Sequence, residues 1–311
     1  MKILLVNPSA SVWQQTKIIP LGLAYIAAVL EKAGHSVQVI DLNHEKSFVL
    51  PKTVDLVGIT AASSTIEYAW DIAKQVKEKN ILTVLGGPHV TILPEESLQH
   101  KEVDFVVRGE GEETIVELIS SLEKNESLTN VRGISFKENN RIVHNQNRPF
   151  IENLDKLPFP AYHLFPPIKH YKSAQPFLAR RRISASIMTS RGCPFNCVFC
   201  YKGMFGHVWR SRSPENIIDE WKFLVKELKV KEIRIQDDIF NQDIKRAEKI
   251  CEMIKDNNII VPWSLPNGIR ADKFNVTLIS KMKQSGCFQV AFGVESGDQT
   301  VLNNIGKKLD L

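Results

Sequence analysis

The sequence predicts an α/β chain: an N-terminal doubly wound parallel five-stranded sheet, followed by further βα units. Three observations predict it. Apolar strand-like runs alternate with amphipathic helical segments from the first residues onward. The turns that close the apolar runs carry glycine, and a proline-rich stretch (LPFPAYHLFPP) separates two regions of the same rhythm. A chain of 311 residues, 43% of them hydrophobic, is long enough for two domains with separate cores. No apolar run approaches the roughly 18 residues of a membrane-spanning helix, and MKILLVNP turns polar too soon for a secretory leader. The expectation is a cytoplasmic protein without a transmembrane segment.

The N-terminal elements follow in order. KILLVN reads as a buried strand, then a helix runs from about Leu21 to Ala33 and ends at Gly34. VQVIDL and DLVGIT are the next strands, followed by a helix near Ile66 to Glu78, the strand LTVLGG, the strand DFVVRG, and a helix from Glu113 to Leu122. Parallel sheets of this kind bind ligands outside the carboxyl ends of their strands. The loops NPS, TAASS, GGPHVT and GEGEE therefore converge on one candidate edge, where Gly86, Gly87, Gly109 and Gly111 allow backbone to approach a ligand closely. No G-x-G-x-x-G follows the first strand, which disfavours a dinucleotide.

From Val131 to about Lys172 the texture changes. GISFKENNRIVHN reads as a hairpin turning at Asn139 and Asn140, and prolines 158, 160, 166 and 167 forbid continuous helix or central strand beyond it. This stretch reads as a linker that lays one domain against the other. Charge divides on the same line: residues 1–150 carry 15 basic and 18 acidic side chains, residues 151–311 carry 25 and 17, within a net charge of +5. Arg180, Arg181, Arg182, Arg210 and Arg212 are expected to form a positive rim or a solvated basic face.

The run RGCPFNCVFC sets Cys193, Cys197 and Cys200 at C-x3-C-x2-C spacing directly after the apolar segment ISASIMTS. Soft thiolates select zinc, cuprous copper or iron–sulfur clusters. A zinc site with His207 as fourth ligand is the competing reading, yet structural zinc sites usually pair two short knuckles and no second C-x2-C occurs. Cys251 and Cys287 read as small core residues. After the cysteines come a helix from about Pro214 to Leu228, EIRIQDD, a helix from Ile244 to Lys255, WSLPNGIRAD, a helix near Val276 to Ser285, and CFQVAFGVES. Strand C-termini single out Gln236, Asp237, Asp238, Arg270 and Glu295.

The cysteine motif, its place after an apolar strand and the aromatic Phe199 before the last cysteine resemble the radical S-adenosylmethionine (SAM) enzymes. The resemblance implies that Cys193, Cys197 and Cys200 hold a 4Fe-4S cluster and that SAM chelates the fourth iron. One electron then cleaves the sulfonium and releases a 5′-deoxyadenosyl radical. It implies a SAM-binding set of Phe199, Gln236, Asp237, Asp238, Arg270 and Glu295: Phe199 near the adenine, the two aspartates for the amino group, Arg270 for the carboxylate, Glu295 for ribose or amino group. The structural alternatives are packing for Phe199, helix capping for Asp238 and a salt bridge to Asp272 for Arg270.

Gly58 to Thr60 with Ser63, GGPHVT from Gly86 and RGEGE from Arg108 are similar to the cobalamin-binding domain that precedes the barrel in one subclass of that family. The likeness covers residues 1 to about 135. It implies a cobalamin seat lined by Pro8, Thr60, Ser63, Gly86, Gly87, His89, Gly109, Glu110 and Gly111. No D-x-H-x-x-G follows the first strand and no histidine lies between Asn7 and Leu23, so the resemblance implies cobalt held without a lower imidazole. His89 is expected to bond the nucleotide tail or backbone rather than the metal. The alternative for this domain is a flavodoxin-like sheet with another ligand or none.

The implied organisation is a cobalamin-binding domain over 1–135, a hairpin and proline-rich linker over 136–180, and the first four βα units of an incomplete radical SAM barrel over 181–311. The implied function is a cobalamin-dependent radical SAM methyltransferase acting on an unactivated carbon. The alternatives are a cyclase or rearrangement enzyme of the same subclass, and a truncated fragment that binds cluster or cobalamin without turnover. Expected partners are a small-molecule, natural-product or lipid-type substrate and a flavodoxin- or ferredoxin-type electron donor, with no nucleic acid.

Overall fold

The computed structural model describes residues 1–9, 18–171, 180–181 and 183–311. Lys172 and Arg182 lie outside the described residues. The chain divides into two compact units, one of residues 1–151 with 157–167, the other of residues 152–156 with 168–311.

The first unit is built on β1 (Lys2–Asn7), whose Ile3 to Val6 are at most 2% exposed because both faces of the strand are covered. Helix α1 (Leu21–Lys32) stops at Gly34, which adopts φ +89° as a helix-ending glycine does. Then follow β2 (Ser36–Asp41), β3 (Leu56–Thr60), α2 (Ile66–Lys77) and β4 (Leu82–Gly86). Between β2 and β3 the cover is a loop whose Phe48, Leu50 and Val54 pack on the core. Two short helices, α3 (Pro88–Ile92) and α4 (Pro94–Gln99), lead to β5 (Phe105–Val107) and α5 (Glu112–Glu123). GGPHVT, expected as a loop, is thus helical from its proline, which is favourable in a first turn because it has no N–H to leave unbonded.

Strands β1 to β5 are parallel in the order β2-β1-β3-β4-β5. The sheet has seven strands rather than the five expected, because the hairpin of β6 (Ile134–Glu138) and β7 (Arg141–His144) adds antiparallel to β5. The turn is as read, with Asn139 and Asn140 both at positive φ (50° and 62°). The hairpin, expected in the linker, instead covers the three-residue β5, whose open edge would otherwise expose unpaired backbone. Ile134, Ser135 and Phe136 are buried against it, the Phe105 and Phe136 rings 6.5 Å apart.

The second unit contains β8 (Ser184–Ile187), the short antiparallel pair β9 (Ser190–Arg191) and β10 (Arg210–Ser211), α6 (Pro214–Lys222), β11 (Glu232–Ile235), α7 (Ile244–Asp256), β12 (Trp263–Ile269), α8 (Val276–Gln284), β13 (Cys287–Phe292) and α9 (Gln299–Asn304). Strands β8, β11, β12 and β13 form a four-stranded parallel sheet in that order. Each helix start is written in the sequence: Ser213, Asp243, Asn275 and Asp298 accept a hydrogen bond from the backbone N–H three residues on. Helix α6 ends in a π turn over Phe223–Glu227, short of the continuous helix expected to Leu228. Trp221 and Trp263, both fully buried and edge to face at 6.3 Å, fill the core between helices and sheet.

Candidate functional site

The three cysteines occupy a loop that leaves the C-terminal end of β8 and is closed at its base by the β9–β10 pair. Gly192 enters the loop at φ +83°, so near the Phe205 and Val208 carbonyls that a side chain there would collide with both. Backbone bonds shape the interior, Cys200 N–H to Cys197 O at 3.1 Å and Gly206 N–H to Lys202 O at 2.8 Å. Cys193 and Cys197 are half-buried and Cys200 is exposed, all as free thiols. Among the described residues no three His, Cys, Asp or Glu side chains gather around a single ion position. Separate thiol positions on one loop suit a cluster whose corners each take one ligand, and the donor set is soft, as iron–sulfur chemistry needs.

The strand that pairs with β8 fixes this loop from the side. Asp237, just beyond β11, is 3% exposed and accepts from Thr189 N–H (2.6 Å), the Thr189 hydroxyl and the Ser190 hydroxyl (2.7 Å). Burial pushes its carboxyl above the ordinary aspartate range, against the opposing pull of Arg246 and those donors. Arg246 is itself lowered to about 10 by burial, and it donates to the Thr189 and Arg212 carbonyls. Asp237, expected at the amino group of SAM, is thus turned into the protein as an anchor. Asp238 is exposed and accepts from the N–H of Gly192 at 3.0 Å, immediately before the first cysteine. Gln236 stays half-buried beside Ser186, 3.4 Å from its hydroxyl.

Arg270, past β12, follows its structural alternative. It forms a two-pronged pair with Asp272 (2.8 and 2.9 Å) and donates to the Lys307 and Lys308 carbonyls at 2.7 and 2.6 Å. Its guanidinium stands 3.8 Å over the ring of Phe195, between the first two cysteines. The turn after α9 meets the same loop: Val198 N–H donates to Ile305 O at 3.0 Å, and Gly306 lies so close that an added Cβ would sit 2.8 Å from Asn196 O. Glu295, at φ +62°, pairs with Lys307 at 2.9 Å. Phe199 is 54% exposed, so it does not pack in the core. Arg210 and Arg212, read as part of a basic rim, are instead buried; Arg210 donates to Phe205 O, and Arg212 to Met188 O and Glu220. Arg180 and Arg181 remain exposed.

In the first unit the ends of β3 and β4 interlock. Gly87 takes φ +109°, where a Cβ would lie 2.8 Å from Ala61 O, and Ala61 N–H donates to Gly86 O at 2.7 Å. Thr60 flanks the same turn, its hydroxyl 3.3 Å from that Cβ position. Thr91 ties this turn to the next, donating to Gly87 O at 2.8 Å and accepting from Gly109 N–H at 3.0 Å. His89 is buried, with Nδ1 3.2 Å from the Ser63 hydroxyl and Nε2 3.0 Å from a Glu96 carboxylate oxygen. Expected to bond the nucleotide tail or the backbone, its ring has two side chains as partners within the protein. Glu110 is also turned inward, accepting from Ile151 N–H at 2.7 Å. Pro8 is buried at the end of β1, and Gly111 packs under Ile26 and Val107. Thr91 and Glu96 escaped the sequence reading; Thr91 ends the GGPHVT string, and Glu96 stands in the first turn of α4, across the break at Leu93 from the helix that carries His89.

Residues 15–119 match the B12 binding domain and residues 187–311 match the Radical SAM superfamily. An uncharacterised methyltransferase of Pyrococcus horikoshii is 40% identical over 299 residues, covering 93% of this chain and 63% of the relative. Cytidylyl-2-hydroxyethylphosphonate methyltransferase of Streptomyces wedmorensis is 30% identical, covering 99% of this chain and 67% of that protein. The cobalamin-dependent SAM radical enzyme OxsB, solved with aqua-cobalamin and SAM bound, shares the fold with a TM-score of 0.82 at 20% identity, over 99% of this chain and 46% of its own. The chain spans 63% and 67% of the lengths of these two methyltransferases and 46% of OxsB.

Proposed function

The chain belongs to the radical SAM enzymes that carry a B12-binding domain, and on that premise we propose that it is the cobalamin- and cluster-binding portion of a methyltransferase acting on an unactivated carbon. Membership brings three cofactors: cobalamin, a 4Fe-4S cluster and SAM. When bound, they supply a carbon-centred radical and a transferable methyl group, while the chain's task is to hold, orient and shield.

Cys193, Cys197 and Cys200 would ligate three irons. The SAM-facing set reduces to Phe199, Gln236, Asp238 and Glu295, which stand at or near strand ends with polar or aromatic surface still presented. Asp237 and Arg270 we read as anchors of the cysteine loop, because their hydrogen-bonding groups are already engaged. In the first unit the backbone around Gly86 and Gly87, with Thr60 and Ser63, would take the nucleotide tail; Glu110 and Gly111 shape that seat from beneath. The sheet of the second unit we read as the opening staves of a barrel. The observation that carries the proposal is the cysteine loop, three soft ligands held by protein contacts at the end of the first strand of a parallel sheet. The names of the two methyltransferase relatives favour methyl transfer over cyclisation.

Among the described residues no helix is long and apolar enough to cross a membrane. The substrate class we propose is a small molecule, and the donor a flavodoxin- or ferredoxin-type protein.

Anaerobic reconstitution tests the reading. About four irons per chain are expected, with loss of bound iron when any of the three cysteines becomes alanine. Under reductant, SAM should yield 5′-deoxyadenosine, and S-adenosylhomocysteine should accumulate with it if methyl transfer is the reaction. Zinc in place of iron overturns the proposal, and 5′-deoxyadenosine alone moves it to cyclisation or rearrangement.

A further inference from the structure

Ser63, His89 and Glu96 form a chain of side chains, of which the cofactor assignment uses Ser63 and leaves the other two unexplained. Glu96 stands 3.0 Å from Nε2 of His89, and Ser63 stands 3.2 Å from Nδ1. Trp70 meets the imidazole edge-on at 6.3 Å and is itself fixed by its indole N–H to the Ser97 hydroxyl (3.2 Å) and by stacking on His100 (4.0 Å). The ring is 6% exposed, so it touches little solvent, whereas Ser63 is exposed at the strand-end edge.

Hydrogen-bond arithmetic then orders the chain. A carboxylate only accepts, so the contact with Glu96 requires the proton on Nε2. In the neutral imidazole that leaves Nδ1 as a bare lone pair, which can only accept, and the hydrogen it accepts is that of the Ser63 hydroxyl. Ser63 is left presenting oxygen lone pairs outward. Glu96 thus acts through His89 to decide which way the serine hydroxyl points, as a carboxylate behind a histidine fixes its tautomer in other sites.

The geometry points to His89 and Glu96 as positioning residues that set Ser63 as a hydrogen-bond acceptor for a donor group, a ribose hydroxyl, on the nucleotide tail of the corrinoid. This rests on the cobalamin reading of the first unit and adds to it a specificity device: a group that touches no ligand decides which ligand polarity the serine accepts.

The test compares cobalamin with cobinamide, which has the corrin ring but no nucleotide tail, by equilibrium binding to the full chain. Glu96 is half-exposed, so Glu96→Ala is expected to fold, and helical circular dichroism and iron content serve as checks. The expected result is a loss of cobalamin affinity of about tenfold, the equivalent of one well-made hydrogen bond, with cobinamide affinity unchanged. His89→Asn should behave alike. In a Ser63→Ala background the Glu96 substitution should have no further effect, and in a Ser63→Thr background, where a hydroxyl persists, its effect should return. Equal losses for cobalamin and cobinamide, or full additivity with Ser63→Ala, overturn the inference while leaving a corrinoid site. Failure of the unsubstituted chain to bind either compound overturns the cobalamin reading, and the inference with it.

Discussion

Arg270 shows how a single residue type can carry the right position and another role. A strand-end arginine is a reasonable partner for a carboxylate ligand, but here the carboxylate is Asp272, two residues on. The hydrogen bonds from Arg270, and after them its charge, hold Asp272 below the ordinary aspartate range, with partial burial opposing. A depressed folded-state value means the stabilisation is full above the ordinary range near about 4 and disappears as pH falls through the depressed value. Asp272→Asn should therefore remove one acid-dependent component from unfolding curves measured between neutral pH and strong acid, with little change in the acid limb's remaining shape. The two other cysteines give a second residue-scale prediction. Burial pushes the Cys251 thiol up to about 11 and the Cys287 thiol up to about 12, so neither is a thiolate near neutrality. Alkylation of the iron-free protein near pH 8 should label Cys193, Cys197 and Cys200 and reach Cys251 only on unfolding; peptide mass spectrometry reads the order.

At the scale of elements, the regular parts were legible because their signals are local. Apolar runs gave the parallel strands, Asn139 and Asn140 gave the hairpin turn, and the helices read from about Pro214, Ile244 and Val276 begin there, each behind a capping side chain. What escaped depends on partners far along the chain. Nothing within β6 announces that it will pair with β5, and nothing near Arg246 announces that it will reach the Thr189 carbonyl. The turn after α9 is of this kind: Ile305 and Gly306 follow the helix directly, yet they lean on the cysteine loop. Gly306→Ala would force a side chain into φ +66° and against Asn196 O. The conformational part alone costs about 1–2 kcal/mol. The variant should unfold at lower temperature and release iron to a chelator faster than the parent, whereas a surface alanine substitution on α9 itself should do neither.

For the molecule as a whole, the candidate residues fall into two sets, each confined to one compact unit: the cysteines with the ends of β11, β12 and β13, and the turns after β3, β4 and β5. Soft ligands in a short run are visible in any sequence because spacing alone constrains them. The corrinoid seat is less so, since glycine pairs and small polar residues serve many ligands, and Glu110 faces inward where its motif suggested a ligand contact. Confinement of each set to its own unit carries a prediction. Cys193→Ala, Cys197→Ala and Cys200→Ala should abolish iron binding and leave cobalamin affinity within about twofold, while Gly87→Ala should lower cobalamin affinity and leave iron stoichiometry intact. Parallel titrations of both cofactors on each variant decide it.

The small ladder of β9 with β10, together with Asp237 and Asp238 reaching across from the neighbouring strand, fastens the cysteine loop through protein groups alone. The path of the chain on both sides of Cys193 is thereby set by strand pairing and by two carboxylates from another strand. The spacing of the thiol groups is a property of the sheet as much as of the loop that carries them.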